Sequence, residues 1–249
     1  MTLRTFAKAA FGAVLLTLAS GCGAQGSASA DEPGPLPQLG LMGSIPIYWG
    51  ESASFSGIVS GEGEGHWARP QLEADYSIRL LDVLDPASLD GLRFLLLAQP
   101  RALSPAENVA LDDWVRKGGR LLLFADPLLT GESHFAIGDR RRPQDTILLS
   151  PILSHWGLEL QFDDSQPAGL QLLDTGPARI PVNLAGRFAA SPEASGCTMG
   201  SAGILARCSI GAGRVLALAD AAILDLHHPH PAAAQALGWL AEQAFSRGK

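Results

Sequence analysis

The sequence has few of the features by which enzymes are recognised. It contains only three cysteines among 249 residues, and aromatic residues make up 6% of it. It has neither the G-x-S-x-G elbow that carries the serine of many hydrolases nor the G-x-x-x-x-G-K-[ST] loop that cradles nucleotide phosphates. These absences argue against the hydrolases and nucleotide-binding enzymes that use those motifs.

Positive charge is also scarce. The chain has 18 Lys and Arg against 25 Asp and Glu, which gives a formal net charge of −7. No stripe of Lys and Arg runs along any segment, whereas proteins that bind nucleic acid or anionic lipid through their surface carry one. We therefore expect neither nucleic acid nor an anionic lipid surface as the main partner.

No apolar run reaches the roughly 20 residues that a membrane-spanning helix needs. The longest run near the N-terminus, residues 9–19, follows a segment with two cations and no acid, which is the order of a secretory signal. Residues 18–22 (L-A-S-G-C) read as a lipobox, in which Cys22 is lipidated and the chain is cut before it. The alternative is cleavage after Ala28-Ser29-Ala30, which lies well beyond the apolar run.

Processing at Cys22 defines three segments. Residues 1–21 are the signal peptide, residues 22–38 are a Gly-, Ser- and Pro-rich tether, and residues 39–249 form a single domain. The signal peptide removes two cations and no acid, so the formal charge becomes −9. We expect a lipid-anchored protein on the periplasmic side of the cell envelope. Gly23 stands where an Asp would favour inner-membrane retention, so the outer membrane is the favoured destination.

Lipidation of Cys22 leaves two cysteines, Cys197 and Cys208. An even pair in an oxidising compartment is typical of a disulfide. Gly200 and Gly203 between them allow a chain reversal, so we predict a bridge across a hairpin.

The order of apolar segments predicts an α/β fold. Strand-length runs at residues 39–48, 77–84, 93–98 and 120–125 are mostly continuous rather than alternating, which is typical of parallel strands buried on both faces. Pro46 interrupts the first of them.

Helix signals separate these runs. The clearest helix covers residues 105–117: Ser104 and Glu107 form a capping box, Pro105 takes the first helical position and Gly118-Gly119 ends it, with Val109, Leu111, Trp114 and Val115 as its apolar face. Two further helices are predicted at residues 150–156 and 231–245.

Two features complete the predicted architecture. Residues 158–210 contain short strand-like pieces and are predicted to form a β-rich antiparallel extension. Residues 119–126 and 213–220 share the pattern G-R, four apolar residues, A-D, which indicates two central strands that each end in an aspartate.

Several of these segments together resemble a known family. The G-G-R-L-L-L-F-A-D-P stretch at residues 118–127, the I-L-S-H-W-G-L stretch at residues 152–158 and the strand at residues 213–220 before Trp239-Leu240 are similar to periplasmic auxiliary components of ABC transport systems, the type linked to gliding motility. That family has a class I glutamine-amidotransferase-like fold, and the similarity covers roughly residues 39–245.

The resemblance implies a flavodoxin-like or amidotransferase-like sheet and a non-catalytic role beside an exporter, with ABC transporter subunits as partners. No cysteine occupies the strand-to-helix elbow where that fold carries its nucleophile. The sequence also departs from the family in having no terminal membrane helix.

Candidate ligand-binding residues follow the predicted strands. In an open parallel sheet, ligands bind beyond the carboxyl ends of the strands. The polar or aromatic residues at those positions are Trp49, Glu51, Gln99, Asp126 and Asp220. Two carboxylates there would suit a cation, a sugar or acid-base chemistry, whereas the alternative is that each Asp caps the loop that follows it.

Two further clusters stand out. Asp225, His227, His228 and His230 have side chains that suit Zn²⁺, but their spacing matches no established zinc motif, so we predict no metal or other cofactor. Arg140, Arg141 and Arg142 lie on a long loop between Asp139 and Asp145; they would clamp a phosphate or carboxylate, or pair with the flanking acids.

The favoured function is therefore a membrane-anchored accessory module without catalytic residues. One alternative is an envelope hydrolase acting on carbohydrate through Asp126, Asp220 and a histidine of residues 227–230. A second alternative is a purely structural scaffold.

Overall fold

The structure is a computed structural model that describes residues 34–51, 65–191 and 196–246. The predicted signal peptide and the lipidation site Cys22 lie outside these ranges, as does most of the predicted tether. Within the described ranges, no helix has both the length and the hydropathy that crossing a bilayer requires.

The strands form one large sheet and two small ones. In chain order they are β1 (Gln38–Gly43), β2 (Ser77–Leu80), β3 (Phe94–Ala98), β4 (Arg120–Phe124), β5 (Leu158–Gln161), β6 (Gln171–Asp174), β7 (Arg179–Val182), β8 (Arg187–Ala190), β9 (Cys197–Gly200), β10 (Leu205–Ile210) and β11 (Gly213–Leu218). The large sheet has the order β2-β1-β3-β4-β11-β10-β9, and β5 pairs with β8 and β6 with β7 in two separate antiparallel sheets. Strands β1 to β4 and β11 run parallel, and β10 pairs antiparallel with both of its neighbours, β11 and β9.

Five α-helices accompany the sheets in the described part of the chain. They are α1 (Ala68–Asp75), α2 (Pro86–Leu89), α3 (Pro105–Arg116), α4 (Ser150–His155) and α5 (Ala233–Phe245). The predicted class, a mainly parallel sheet flanked by helices with small antiparallel additions, is confirmed.

The core lies on both faces of the large sheet. Leu121 and Leu123 of β4 pack with α3 on one face, whereas Leu122 and Phe124 pack with α5 on the other. Because successive strand residues point to opposite faces, a strand covered on both sides must be apolar at every position. This explains the continuous apolar runs of β3 and β4.

The same expectation is wrong for β2. Its four residues are exposed or half-buried, since β2 lies at the edge of the sheet and only β1 pairs with it. An apolar run therefore indicates a strand here without indicating that the strand is central.

The helix predicted at residues 105–117 is confirmed as α3. The Ser104 hydroxyl accepts from the Glu107 backbone N–H at 3.3 Å, and the Glu107 carboxylate accepts from the Ser104 N–H at 2.8 Å. Arg101 adds two bonds to Glu107 and is the main reason that the pKa of Glu107 falls to about 2. Val109 is a correction: its side chain is 64% exposed and does not belong to the buried face.

The predicted extension at residues 158–210 needs a correction as well. Strands β5 to β8 form the two small antiparallel sheets, but β9 and β10 continue the large sheet. The sequence could not separate them, because all six strands are short and bounded by similar turn residues.

The predicted disulfide between Cys197 and Cys208 is confirmed. The two residues are directly opposite in the β9–β10 pair, with Cα atoms 4.0 Å apart. Closing a loop of this length is worth about 2–3 kcal/mol on the chain-entropy model. The bridge therefore stabilises the outermost strand of the sheet.

Candidate functional site

Four polar residues follow directly on the carboxyl ends of neighbouring parallel strands. Ser44 follows β1, Gln99 follows β3, and Asp126 and Asp220 come two residues after β4 and β11. Parallel strands end at a common edge, so the four residues line up along one side of the sheet. The shared pattern of residues 119–126 and 213–220 thus corresponds to two adjacent parallel strands paired in register.

The order β2-β1-β3-β4-β11 places a change of winding direction between β1 and β3. In open α/β sheets this switch point is where a crevice for ligands usually forms. Here it is filled from within. The Ser44 hydroxyl donates to the Gln99 carbonyl at 2.6 Å, and the Gln99 amide donates to the carbonyls of Asp126 and Gln144 at 2.9 and 3.0 Å.

Gln99 has no exposed surface and a backbone φ of 49°, which is uncommon for a residue other than glycine. Its amide oxygen also accepts from the Asp126 N–H at 2.8 Å. The surrounding hydrogen bonds offset the cost of this backbone conformation. Gln99 therefore connects the ends of two strands and has no accessible atom for a ligand.

Asp126 and Asp220 are also fully buried. Asp126 accepts from the N–H groups of Leu128 and Ala221, both at 2.9 Å. Asp220 accepts from those of Ala222 at 2.7 Å and Asn183 at 2.8 Å. These contacts are those of the loop-capping alternative.

Burial dominates the electrostatics of this pair. It raises the pKa of Asp126 to about 6, against the effect of its two backbone hydrogen bonds. The pKa of Asp220 is raised well above its ordinary value, first by burial and then by the charge of Asp126. Two acids without exposed surface are poorly placed to act on a carbohydrate, whatever their protonation.

A second polar cluster combines residues from three distant segments of the chain and reaches the surface mainly through His134. The Glu51 carboxylate accepts from the Ser133 hydroxyl at 2.6 Å and from the His134 backbone N–H at 2.7 Å. The His227 Nε2 lies 3.4 Å from the same carboxylate, and the rings of His134 and His227 are 4.1 Å apart. We call Glu51, Ser133, His134 and His227 the open cluster.

The charges of the open cluster differ from those of the buried pair. Burial alone would raise the pKa of Glu51, but hydrogen bonds from Ser133, His134 and His227 outweigh it and lower this pKa. The carboxylate is therefore ionised at neutral pH. Within the described residues, one group of three carboxylate or imidazole side chains has the spacing for a metal ion, and it consists of Glu51, His134 and His227.

The structure separates the four histidine-loop residues that sequence reasoning grouped together. Only His227 reaches Glu51. The Asp225 carboxylate accepts from the backbone N–H groups of His227 and His228, both at 2.9 Å, and His230 Nδ1 accepts from Ala232. The loop therefore uses Asp225 to shape its backbone.

His134 was missed as a partner of this loop. It is separated from Glu51 by 83 positions and from His227 by more, and no motif spacing joins them. The signal in the sequence was only that Glu51 follows the first strand, at the edge where the later loops also emerge. Trp49, the other candidate there, is 52% exposed and packs edge to face against Tyr48.

The arginines of residues 140–142 mainly pair with the acids that flank them in the chain. Arg141 binds Asp139 at 2.7 Å and lies over the Phe135 ring, and Arg142 lies 3.3 Å from Asp145. Arg140 is exposed. The loop is thus organised by its own charges, and three guanidinium groups do not converge on one point.

Fold and site together define an α/β domain with flavodoxin-like strand order. Its switch point is closed by its own side chains, and its open carboxylate-imidazole cluster is built from loops that follow the strands. Residues 58–168 match the profile of a family described as an ABC-type uncharacterized transport system. No curated protein matches the sequence at a significant level.

Solved structures add information on the fold alone. The N-terminal domain of mmIFT52 is 15% identical, with 86% of this chain and 98% of that one covered and a TM-score of 0.52. The exo-β-1,4-mannosidase Op5Man5 from Opitutaceae bacterium strain TAV5 is 16% identical, with 84% and 34% covered and a TM-score of 0.44. A β-galactosidase from Rahnella sp. R3 is 11% identical, with 84% and 31% covered and a TM-score of 0.46.

The chain spans about one third of the length of these two glycosidases. Their low TM-scores carry no argument about activity. The family match covers less than half of the chain, and the amidotransferase-like assignment stays a prediction.

Proposed function

We propose that this chain is an envelope lipoprotein that serves an ABC-type transport system as a non-catalytic accessory subunit. The observation that carries the proposal is the match of residues 58–168 to a family of such systems. The closed switch point supports the non-catalytic part, because Gln99, Asp126 and Asp220 are fully buried and therefore do not offer an accessible group to a substrate.

The membrane anchor of this proposal is Cys22. Lipidation there would leave the tether between the membrane and β1. In the source cell, the intact mass of the processed protein should correspond to an acylated chain beginning at Cys22. A chain that begins at Asp31 without lipid would instead show cleavage after Ala30 and would remove the anchor from the proposal.

The docking element of this proposal is the loop of residues 134–145. Ile137 is 88% exposed, which is the highest value among the exposed large apolar side chains of the described residues. Arg140 is exposed three positions later. An apolar side chain beside a cation is typical of a contact that a partner buries, since aromatic, apolar and Arg side chains supply most interface energy.

Co-purification from detergent-solubilised membranes tests the proposal. The full chain should recover the ATP-binding and membrane subunits of one transporter, identified by mass spectrometry. Ile137→Asp should reduce that recovery at least about tenfold, which corresponds to about 1.4 kcal/mol of binding.

The matched control is Val109→Asp, which places the same charge at another exposed apolar position on α3. It should recover the subunits as the unmodified chain does. Recovery of no transporter subunit by the unmodified chain would overturn the accessory role. Equal recovery by both variants would leave the role and overturn the docking element.

A further inference from the structure

The open cluster brings together three side chains that are metal ligands in many proteins. Glu51 supplies a carboxylate and His134 and His227 supply imidazoles, and one ligand atom of each lies within 4.8 Å of the others. We propose that this cluster binds one divalent transition-metal ion, with Zn²⁺ as the favoured ion. The proposal does not depend on the transporter partnership.

The distances fit a tetrahedral ion. Bonds of about 2.0–2.1 Å to nitrogen and oxygen separate neighbouring tetrahedral ligand atoms by about 3.3 Å. His227 Nε2 and the Glu51 carboxylate are already 3.4 Å apart. One ring nitrogen of His134 lies within 4.8 Å of the other two ligand atoms. The exposed His134 ring would have to turn from its contact with the His227 ring to complete the third ligand.

The chemistry of the donors selects the ion. Two imidazoles and one carboxylate are the ligand set of a class of zinc sites that keep one position for water or another ligand. Magnesium and calcium prefer sites made of oxygen atoms alone. His134 is the exposed member of the three, so a fourth ligand would reach the ion from its side of the cluster.

Neighbouring groups hold the ligands in place. The Ser133 hydroxyl and the His134 N–H orient the Glu51 carboxylate, and Asp225 fixes the backbone of the loop that carries His227. Such outer contacts fix the direction of metal ligands, and their loss usually lowers metal affinity about 10–100-fold. No protein group among the described residues hydrogen bonds the His134 ring nitrogens, so an ion would not compete with an internal partner there.

The alternative is that Glu51 simply ties two loops together through hydrogen bonds. In that case the side chains would be positioned as they are and no ion would bind. The two explanations differ for His134, whose imidazole is needed by the metal site but not by the loop contact, since the loop contact uses its backbone N–H.

Calorimetric titration of the full chain with ZnCl₂ in mild detergent tests the proposal, with a purification tag that contains no histidine. We expect one ion per chain. His134→Ala and His227→Ala should each weaken binding more than about 100-fold, and Ser133→Ala about 10–100-fold.

His228→Ala is the matched control, because His228 lies on the same loop and outside the cluster, and it should bind zinc as the unmodified chain does. Co²⁺ in place of zinc should give the strong visible absorption of a tetrahedral ion, and His134→Ala should abolish it. A chain that binds no zinc overturns the proposal. Equal zinc binding by His134→Ala and the unmodified chain also overturns the proposal. His134→Ala changes an exposed side chain, so this variant should fold normally.

Discussion

The two polar clusters of this protein differ in how far they reach the surface. Gln99, Asp126 and Asp220 have no exposed surface, and each of these side chains has backbone partners across the strand ends. In the open cluster, Glu51 is tied down while the imidazole of His134 faces solvent. The hydrogen bonds of the first cluster all serve the fold, whereas the second cluster presents the exposed His134 imidazole to solvent.

The contrast shows why polar residues at strand ends are ambiguous in a sequence. A buried polar group must be paired internally, because leaving it without a hydrogen bond costs about 1–3 kcal/mol. The same residue types at an accessible position are free to bind. Burial therefore decides the role of a strand-end residue. Substitutions in the buried group should lower stability, whereas substitutions in the open cluster should change zinc binding and leave stability nearly unchanged.

The largest effect should come from Gln99→Leu. Leucine has a similar size but would leave the N–H and carbonyl of Asp126 and the carbonyl of Gln144 without their partner. We expect the free energy of unfolding in urea to fall by about 4 kcal/mol. Gln71→Leu removes one hydrogen bond from an accessible side chain and should change it by less than about 1 kcal/mol. A similar small effect for both variants would mean that Gln99 does not connect the strand ends.

The buried pair should give an unusual pH dependence. The pKa of Asp126 in the folded chain, about 6, lies above its ordinary value of 3.8, so the protonated form favours folding. This stabilisation is complete below about pH 4 and is lost as the pH rises through about 6. Asp126→Asn is the reference variant, because its side chain does not titrate at this position.

The free energy of unfolding of the unmodified chain should therefore fall relative to that of Asp126→Asn between pH 4 and pH 7, by up to about 3 kcal/mol. Thermal or urea unfolding of both chains at several pH values measures this difference. A difference that stays constant over the range, or that grows in the opposite direction, would contradict the raised pKa.

Gly43→Ala should have the next effect. Gly43 ends β1 at the switch point, and a Cβ there would collide with the backbone carbonyl of Ala98 on β3. Overpacking of this kind costs about 1–3 kcal/mol. Gly131→Ala is the matched control because a Cβ at Gly131 meets nothing within 4 Å. Equal melting temperatures for the two variants would show that the strand ends are not held in close contact.

The smallest effect on stability should come from the open cluster. His134→Ala should change the free energy of unfolding by less than about 0.5 kcal/mol in metal-free buffer, as is usual for exposed positions. With zinc present, the unmodified chain should melt at a higher temperature while His134→Ala should not, because a ligand that binds only the folded state stabilises it. A large loss of stability without zinc would place His134 among the structural residues.

Much of the fold could be predicted from the sequence because local signals agreed with tertiary packing. The capping box of Ser104 and Glu107 set the start of α3, and the apolar runs of β3 and β4 reflected two covered faces. The position of β2 at an edge and the pairing of β11 with β4 depended on contacts between distant segments. No local pattern encodes such pairings. Strands β9 and β10 then join the large sheet through two local hairpins that end in β11.

The candidate site was only partly predictable for the same reason. Glu51, Asp126 and Asp220 were selected because they follow strands, but the sequence does not show whether a loop covers a strand end. His134 lies on the segment after β4 and His227 on the segment after β11, so the two meet Glu51 only in the folded chain. The residue types predicted which groups could bind a ligand. Burial, which the sequence does not show, decided which of them serve the fold instead.

Amide hydrogen exchange measured by NMR tests the central contrast most directly. The N–H groups of Ala221 and Ala222 are bound by Asp126 and Asp220, while that of His134 is bound by Glu51. We predict that the first two exchange only with a free energy close to that of global unfolding, and that His134 exchanges through local opening at a free energy lower by about 2 kcal/mol or more. Equal protection at the three amides, or faster exchange at Ala221 and Ala222 than at His134, would contradict the division into a closed and an open cluster.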